Sequence, residues 1–107
     1  MTTFDMREEG FEKKFAVDEE QKFKSLNRRN RLLGQWAAEK LGISGDAATA
    51  YAKEVVASDF DEAGDEDVIR KVEKDFAAKG VTISAAEIRA KMSELLPVAV
   101  AEIKAGK

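Results

Sequence analysis

The feature that most constrains this chain is a helical repeat of apolar residues that starts near the N-terminus and runs to Leu41. At about 100° per residue, these side chains fall within one stripe about 100° wide. A single helix over this stretch would be about 55 Å long, whereas a domain of this size has a radius of gyration of only about 13 Å. We therefore expect the stable helix to begin near Glu19, with Asp18 as its cap and Gly42 as its end. The stripe comprises Phe4, Phe11, Phe15, Leu26, Leu33, Trp36 and Ala37.

Three more helical segments follow, and strand signals are nearly missing. Val81 to Ile83 is the only β-branched run and is too short to start a sheet. The fold class predicted is all-α, a small four-helix bundle with a mobile N-terminal arm. Because proline removes a backbone donor, Pro97 predicts a kink or a break in the last helix. We expect the second helix from Ser44 to near Asp59, the third from Asp65 to Lys79, and the fourth from Ser84, with Glu87 completing a capping box.

The amino-acid composition excludes several classes of function for this chain. The 107 residues contain no Cys and no His, which excludes disulfides, thiolate nucleophiles, imidazole bases and zinc sites built on these side chains. The net charge of −3 argues against a basic surface for duplex DNA, so no nucleic-acid partner is expected. No stretch approaches the ~20 apolar residues that span a bilayer. No phosphate-binding loop occurs, and we expect neither an enzyme nor a metal site.

The first eighteen residues read as a separate element, an arm that precedes a four-helix domain at 19–107. Between Asp5 and Glu20 there are seven acids and three bases, and the phenylalanines keep helical register through this charge. Gly10 weakens an isolated helix by about 1 kcal/mol. A segment that is helix-capable but not helix-stable is typical of one that folds on a partner. The alternative is that the phenylalanines pack on their own bundle.

A basic run follows the arm, with no acid between Gln21 and Ala38. Its cations could contact phosphate, a nucleotide or an acidic protein face, with Phe23 and Trp36 as the nearby aromatic rings. The alternative is an outer helix face whose cations pair with acids on neighbouring helices. The candidate docking or phosphate contacts are Lys22, Lys24, Arg28, Arg29 and Arg31.

The acidic stretch from Asp59 to Asp67 superficially resembles a calcium loop. Counting from Asp59, Gly64 fits the sixth position of the EF-hand pattern, but Ala63 occupies the fifth, where a ligand is needed, and Arg70 the twelfth, where Glu is needed. We therefore interpret the stretch as a loop followed by an acidic helix start, whose carboxylates match the positive end of the helix dipole.

Sequence blocks spread over almost the whole chain resemble one known family. The longest is Arg28 to Ala38, RRNRLLGQWAA. On these blocks the chain is similar to the zeta subunit, the natural inhibitor of bacterial F-type ATP synthase. The other matching blocks are Thr3-Phe4-Asp5, Arg7-Glu8, Lys14-Phe15-Ala16, Ala50-Tyr51-Ala52, Ser58-Asp59-Phe60, Gly64 to Val68 and Ile88 to Met92.

The resemblance implies a four-helix protein whose mobile arm enters the catalytic head between an α subunit, a β subunit and the γ shaft. There the arm would fold as a helix and block rotation in the direction of ATP hydrolysis. Gly10 and Pro97 depart from the family pattern, and Gly10 should raise the entropic cost of folding the arm. The implied inhibitory residues are Thr3, Phe4, Asp5, Arg7, Glu8, Glu12, Lys14 and Phe15, and the helical register adds Phe11.

The resemblance also implies weak binding of ATP or ADP by the helical domain, at residues that no motif locates. The alternative function is accordingly a small helical adenine-nucleotide-binding sensor or adaptor. No other cofactor is expected. As an inhibitor, the chain would be a cytoplasmic monomer when free and would reach the inner membrane only through the ATP synthase.

Overall fold

The first helix begins and ends where the sequence predicts. The computed structural model describes residues 18–59 and 65–106, and helix α1 spans Glu19–Leu41. The side chain of Asp18 caps it by accepting a hydrogen bond of 2.7 Å from the Gln21 backbone N–H. At the other end Gly42 is left-handed, with a φ of 77°, and the Ile43 N–H closes the helix by donating to the Ala38 carbonyl.

The remaining helices are α2 over Gly45–Ala57, α3 over Glu66–Ala78 and α4 over Ala85–Lys104. Helix α4 has the cap that its sequence predicts, because the Glu87 backbone N–H donates to the Ser84 hydroxyl at 3.2 Å. Helix α3 opens with acidic residues in its first turn. The prediction of an all-α protein with four helices is confirmed. The predicted arm lies outside the described residues, apart from Asp18.

Of the two outcomes predicted at Pro97, the break is wrong, because α4 runs without interruption through this residue, and the kink stays a prediction. Pro97 and Ser93 both lie on the exposed side of the helix. Proline leaves the carbonyl four residues earlier without its donor, and at an exposed position water supplies that hydrogen bond. The helix therefore loses one internal bond without leaving a buried polar group unsatisfied.

The hydrophobic core is formed where α2, α3 and α4 pack against α1. Its largest fully buried side chains include Phe76, Leu33 and Ile88. A smaller cluster of Leu26, Val100 and Leu96 joins the first half of α1 to the second half of α4. The main cluster comprises Leu33, Ala37, Ala38, Leu41, Tyr51, Val55, Val68, Ile69, Val72, Phe76, Ile88 and Met92.

Helices α1 and α2 approach each other closely at a glycine. An ideal Cβ added to Gly34 would lie 2.6 Å from the Cα of Ala52 and 3.3 Å from the Cβ of Val55. Only a residue without a side chain permits this approach. The glycine in the RRNRLLG block therefore has a packing role.

Candidate partner-binding surface

The predicted inhibitory arm connects directly to α1. Its predicted contacts, Thr3, Phe4, Asp5, Arg7, Glu8, Phe11, Glu12, Lys14 and Phe15, lie outside the described residues. Asp18, the last residue assigned to the arm, has an extended backbone with ψ of 175° and caps α1. A partner that binds the arm up to Asp18 therefore lies next to the first turn of α1.

The cations in the first turns of α1 pair with acids of the same helix. Lys22 Nζ lies 3.3 Å from Glu19 Oε1, and Lys24 Nζ lies 3.0 Å from Glu20 Oε1. The two lysines differ in exposure, because the Lys22 side chain is 10% exposed and that of Lys24 is 59% exposed. Only Lys24 therefore presents its ammonium group broadly to solvent.

The arginines of the basic run point in different directions. Arg28 Nη1 lies 3.2 Å from Glu102 on α4, where both side chains are half-buried. Arg29 is buried and binds Asp65. Arg31 is exposed and pairs with no acid among residues 18–59 and 65–106. The five cations therefore do not form one continuous patch.

Arg29 and Asn30 form a buried polar network with the acids on both sides of segment 60–64. The Arg29 guanidinium donates two hydrogen bonds to the Asp65 carboxylate, at 2.8 and 3.2 Å. It also donates to the side-chain oxygen of Asn30. The Asn30 amide donates to Asp59 at 3.0 Å. The network thus ties the end of α2 and the start of α3 to the middle of α1. Bidentate geometry of this kind stabilises a buried arginine.

A second polar cluster lies between α2 and α3. The Tyr51 hydroxyl donates to Asp75 at 2.8 Å, and Lys71 lies 2.8 Å from Glu54 and 3.0 Å from Asp75. Burial raises the pKa of the Tyr51 hydroxyl, and the hydrogen bond to Asp75 adds to this effect. Burial acts to lower the pKa of Lys71, but its hydrogen bonds to Glu54 and Asp75 outweigh this effect and raise that pKa. The cluster therefore favours the protonated forms of Tyr51 and Lys71 and links the two helices.

Trp36 packs at the edge of the core, away from the other members of the basic run. Its ring meets Phe76 edge-on at 5.7 Å between centroids, and the Lys91 ammonium lies 5.8 Å from the Trp36 ring centre. Arg28 and Arg29 have acidic partners instead of facing this ring. The nucleotide-binding alternative stays a prediction without an assembled site in residues 18–59 and 65–106.

A groove of about 330 Å³ lies where α1 begins and α4 ends. Its lining combines the apolar side chain of Ile103 with charged side chains of α1 and its cap. In the part of the chain that the structure describes, no three His, Cys, Asp or Glu side chains are grouped to hold a metal ion. No described helix combines the length and apolar character that a membrane crossing requires. The groove is lined by Asp18, Glu20, Gln21, Lys24, Ile103 and Gly106.

The sequence blocks described above all fall within the match to one protein family. The family model described as ATPase inhibitor subunit zeta matches residues 1–102. The chain belongs to this family. The match includes every predicted contact of the arm, helices α1 to α3 and all but the last two residues of α4, so the zeta family resemblance seen in the sequence is confirmed.

The zeta family fold is also found among solved structures. A protein solved by solution NMR is 52% identical to this chain and superposes with a TM-score of 0.70. The alignment covers 79% of this chain and 96% of the solved one. No curated protein matches the chain.

The sequence alone did not single out the outward position of Phe23. Its side chain is 69% exposed, the highest value among the large hydrophobic residues of the described zeta chain. A helical-wheel signal for this was present, because Phe23 lies about 40° beyond the edge of the apolar stripe that contains Leu26 and Leu33.

Proposed function

We propose that this chain inhibits ATP hydrolysis by an F-type ATP synthase through its N-terminal arm, residues 1–18. The observation that carries the proposal is the family match, which begins at residue 1 and therefore includes the arm. The arm would enter the catalytic head at an interface of the α, β and γ subunits and fold there as a helix. The partner would place the inhibitor on the cytoplasmic side, peripheral to the inner membrane.

The mechanism requires selective binding and no chemistry. A ligand that binds one state of a cycle better than the others shifts the population towards that state. An arm that is ordered only in one rotary state would hold the motor there. Phe4, Phe11 and Phe15 would supply buried apolar area, while Arg7 and Glu12 would set the register by charge pairing.

The helical domain supports this role by giving the arm a stable attachment. Helix α1 is capped by Asp18 and anchored by Leu26 to α4, so its first turn is held within the described domain itself. An arm that folds in a protein groove obtains its stability from that groove, because a short isolated helix is marginal in water. The domain and the arm therefore have separable energetics.

The proposal is tested by titrating the purified chain into its cognate ATP synthase and measuring ATP hydrolysis. We expect the full chain to inhibit and a variant lacking residues 1–15 to lose inhibition. Phe4→Ala and Phe15→Ala should each raise the half-inhibitory concentration by about tenfold, as expected for buried aromatic anchors. Neither substitution should change the melting temperature of the domain.

The control for this experiment is Phe76→Ala, which removes a fully buried core side chain. It should cost about 3–5 kcal/mol of unfolding free energy. Two results would count against the proposal. One is a full chain that leaves hydrolysis unchanged, and the other is a large fall in melting temperature on replacing Phe4 or Phe15, which would place these rings in the core.

A further inference from the structure

One large apolar side chain remains outside the core that the fold assembles. Phe23 is 69% exposed, although it lies on a helix that buries many of its other residues. The next most exposed large hydrophobic among the described residues is Val98, at 44%. An exposed phenyl ring gains free energy from any contact that removes it from water, at about 25 cal/mol per Å² of apolar area.

Phe23 belongs to an exposed column on the outer face of α1. Asn27 and Arg31 follow it at intervals of four residues, and all three side chains are exposed. Such spacing places them within a sector about 80° wide on one side of the helix. Arg31 has no acidic partner among the described residues, whereas Lys24, which follows Phe23 in the sequence, forms an ion pair with Glu20. The column thus presents to solvent an aromatic ring and a guanidinium that pairs with no acid of residues 18–59 and 65–106.

We propose that Phe23, Asn27 and Arg31 form a second docking surface, which binds the same ATP synthase head that holds the arm. The surface fits an apolar recess bordered by a carboxylate. Phe23 fills the recess, and Arg31 pairs with the acid. This inference rests on the proposed function, because it takes the partner of the arm as its own partner.

The position of the column selects this partner over others. Phe23 follows Asp18, the end of the arm, by five residues, which corresponds to about 7.5 Å along a helix. A protein that encloses the arm up to its junction with α1 therefore lies against this part of the helix. Two contacts joined by a short connection bind far more tightly than either alone, because the second is made at a high effective concentration. The charge complement of an unpaired arginine is a carboxylate on that protein.

The test uses full-length chains in two parallel measurements on the purified ATP synthase head. One is the half-inhibitory concentration in ATP hydrolysis, and the other is the dissociation constant of a fluorescently labelled chain. Phe23→Ala should raise both values about tenfold, and Arg31→Ala should raise them several-fold. Saturating concentrations should still inhibit fully, because the arm is intact. The melting temperature should stay unchanged, since both side chains are exposed.

Two exposed residues away from the column serve as matched controls. Val98→Ala removes an exposed apolar side chain from α4, and Arg70→Ala removes an exposed arginine from α3. Each should change the half-inhibitory concentration and the dissociation constant by less than about twofold, because surface substitutions away from an interface are nearly neutral.

The possible outcomes separate the docking surface from the arm. If the wild-type chain binds without inhibiting, the proposed function fails, and weaker binding by Phe23→Ala still supports the docking surface. If Phe23→Ala binds and inhibits like wild type, the docking surface is wrong and the arm is unaffected. A wild-type chain that neither binds nor inhibits contradicts both proposals. Sedimentation that shows a dimer abolished by Phe23→Ala would make the column a self-association surface and overturn the inference.

Discussion

Gly34 shows how a single residue sets the distance between two helices. Glycine normally weakens a helix interior by about 1 kcal/mol relative to alanine. A Cβ at this position, however, would come within 2.6 Å of the Ala52 Cα, which belongs to the backbone of α2 and cannot rotate away. The steric cost of a methyl group therefore outweighs its helix propensity.

We expect Gly34→Ala to destabilise the domain by about 1–3 kcal/mol, the usual cost of overpacking a well-filled site. Urea unfolding followed by circular dichroism measures this change. Gln35→Ala is the matched control, because residue 35 is exposed on the same helix and should tolerate alanine without loss. A Gly34→Ala variant as stable as wild type would show that α1 and α2 can move apart at little cost.

Tyr51 is a residue whose ionisation is coupled to folding. Burial and the hydrogen bond to Asp75 raise the pKa of its hydroxyl in the folded state. In the unfolded chain that pKa is near 10. Because the folded state holds the proton more tightly, the stabilisation is fully present below pH ~10 and is lost as the pH rises above that value. The raised pKa of Lys71 acts in the same direction.

The Tyr51→Phe variant should therefore differ from wild type most at neutral pH. We expect it to be about 1 kcal/mol less stable there, through loss of the hydrogen bond to Asp75. The difference should shrink above pH ~10, where wild type gives up its own stabilisation. Urea unfolding across this pH range measures the effect, and the only tyrosine in the chain allows its phenolate absorbance to be followed directly. A difference that grows with pH would contradict the assignment.

At the scale of elements, the network of Arg29 explains how α1 orders the chain on both sides of segment 60–64. Asp59 follows α2 and Asp65 precedes α3, and both acids reach the same pair of side chains on α1. A buried arginine without its carboxylate is strongly unfavourable, because the charge has lost its water without a replacement. The arrangement therefore fixes where α3 starts relative to α1.

We expect Asp65→Asn to destabilise the domain by about 3 kcal/mol, since it leaves the Arg29 charge buried and poorly compensated. Chemical unfolding provides the measurement. Glu66→Gln is the control, because this neighbouring acid pairs with Arg89 at the surface and should cost less than about 1 kcal/mol. Equal effects of the two substitutions would mean that the Arg29 network contributes no more than a surface ion pair.

At the scale of the whole molecule, α1 is the element against which the other three helices pack and which the arm precedes. The main core lies along its C-terminal half, the cluster with Val100 lies along its N-terminal half, and the arm joins its first residue. The proposed binding surfaces are the arm, which precedes this helix, and the outer column, which runs from near its start to its middle. The three residues of the proposed column are exposed, and none of them belongs to the core clusters that stabilise the domain.

The sequence alone determined the four helices and most of their ends. Caps and helix stops are local, since Asp18 with Gln21, Ser84 with Glu87, and Gly42 each act within about one turn. The blocks that identify the zeta family were equally readable in the linear chain. The predictions for these caps succeeded because the interactions join residues only three or four positions apart.

The tertiary structure decided which polar residues are buried and which apolar one is not. Arg29 appeared to be part of a basic run, yet its carboxylate partner lies 36 residues away and removes it from the surface. Gly34 has a role only because α2 crosses there, and Pro97 is tolerated only because it faces solvent. Burial is a property of how helices pack against each other, and no local pattern contains the position of the neighbouring helix.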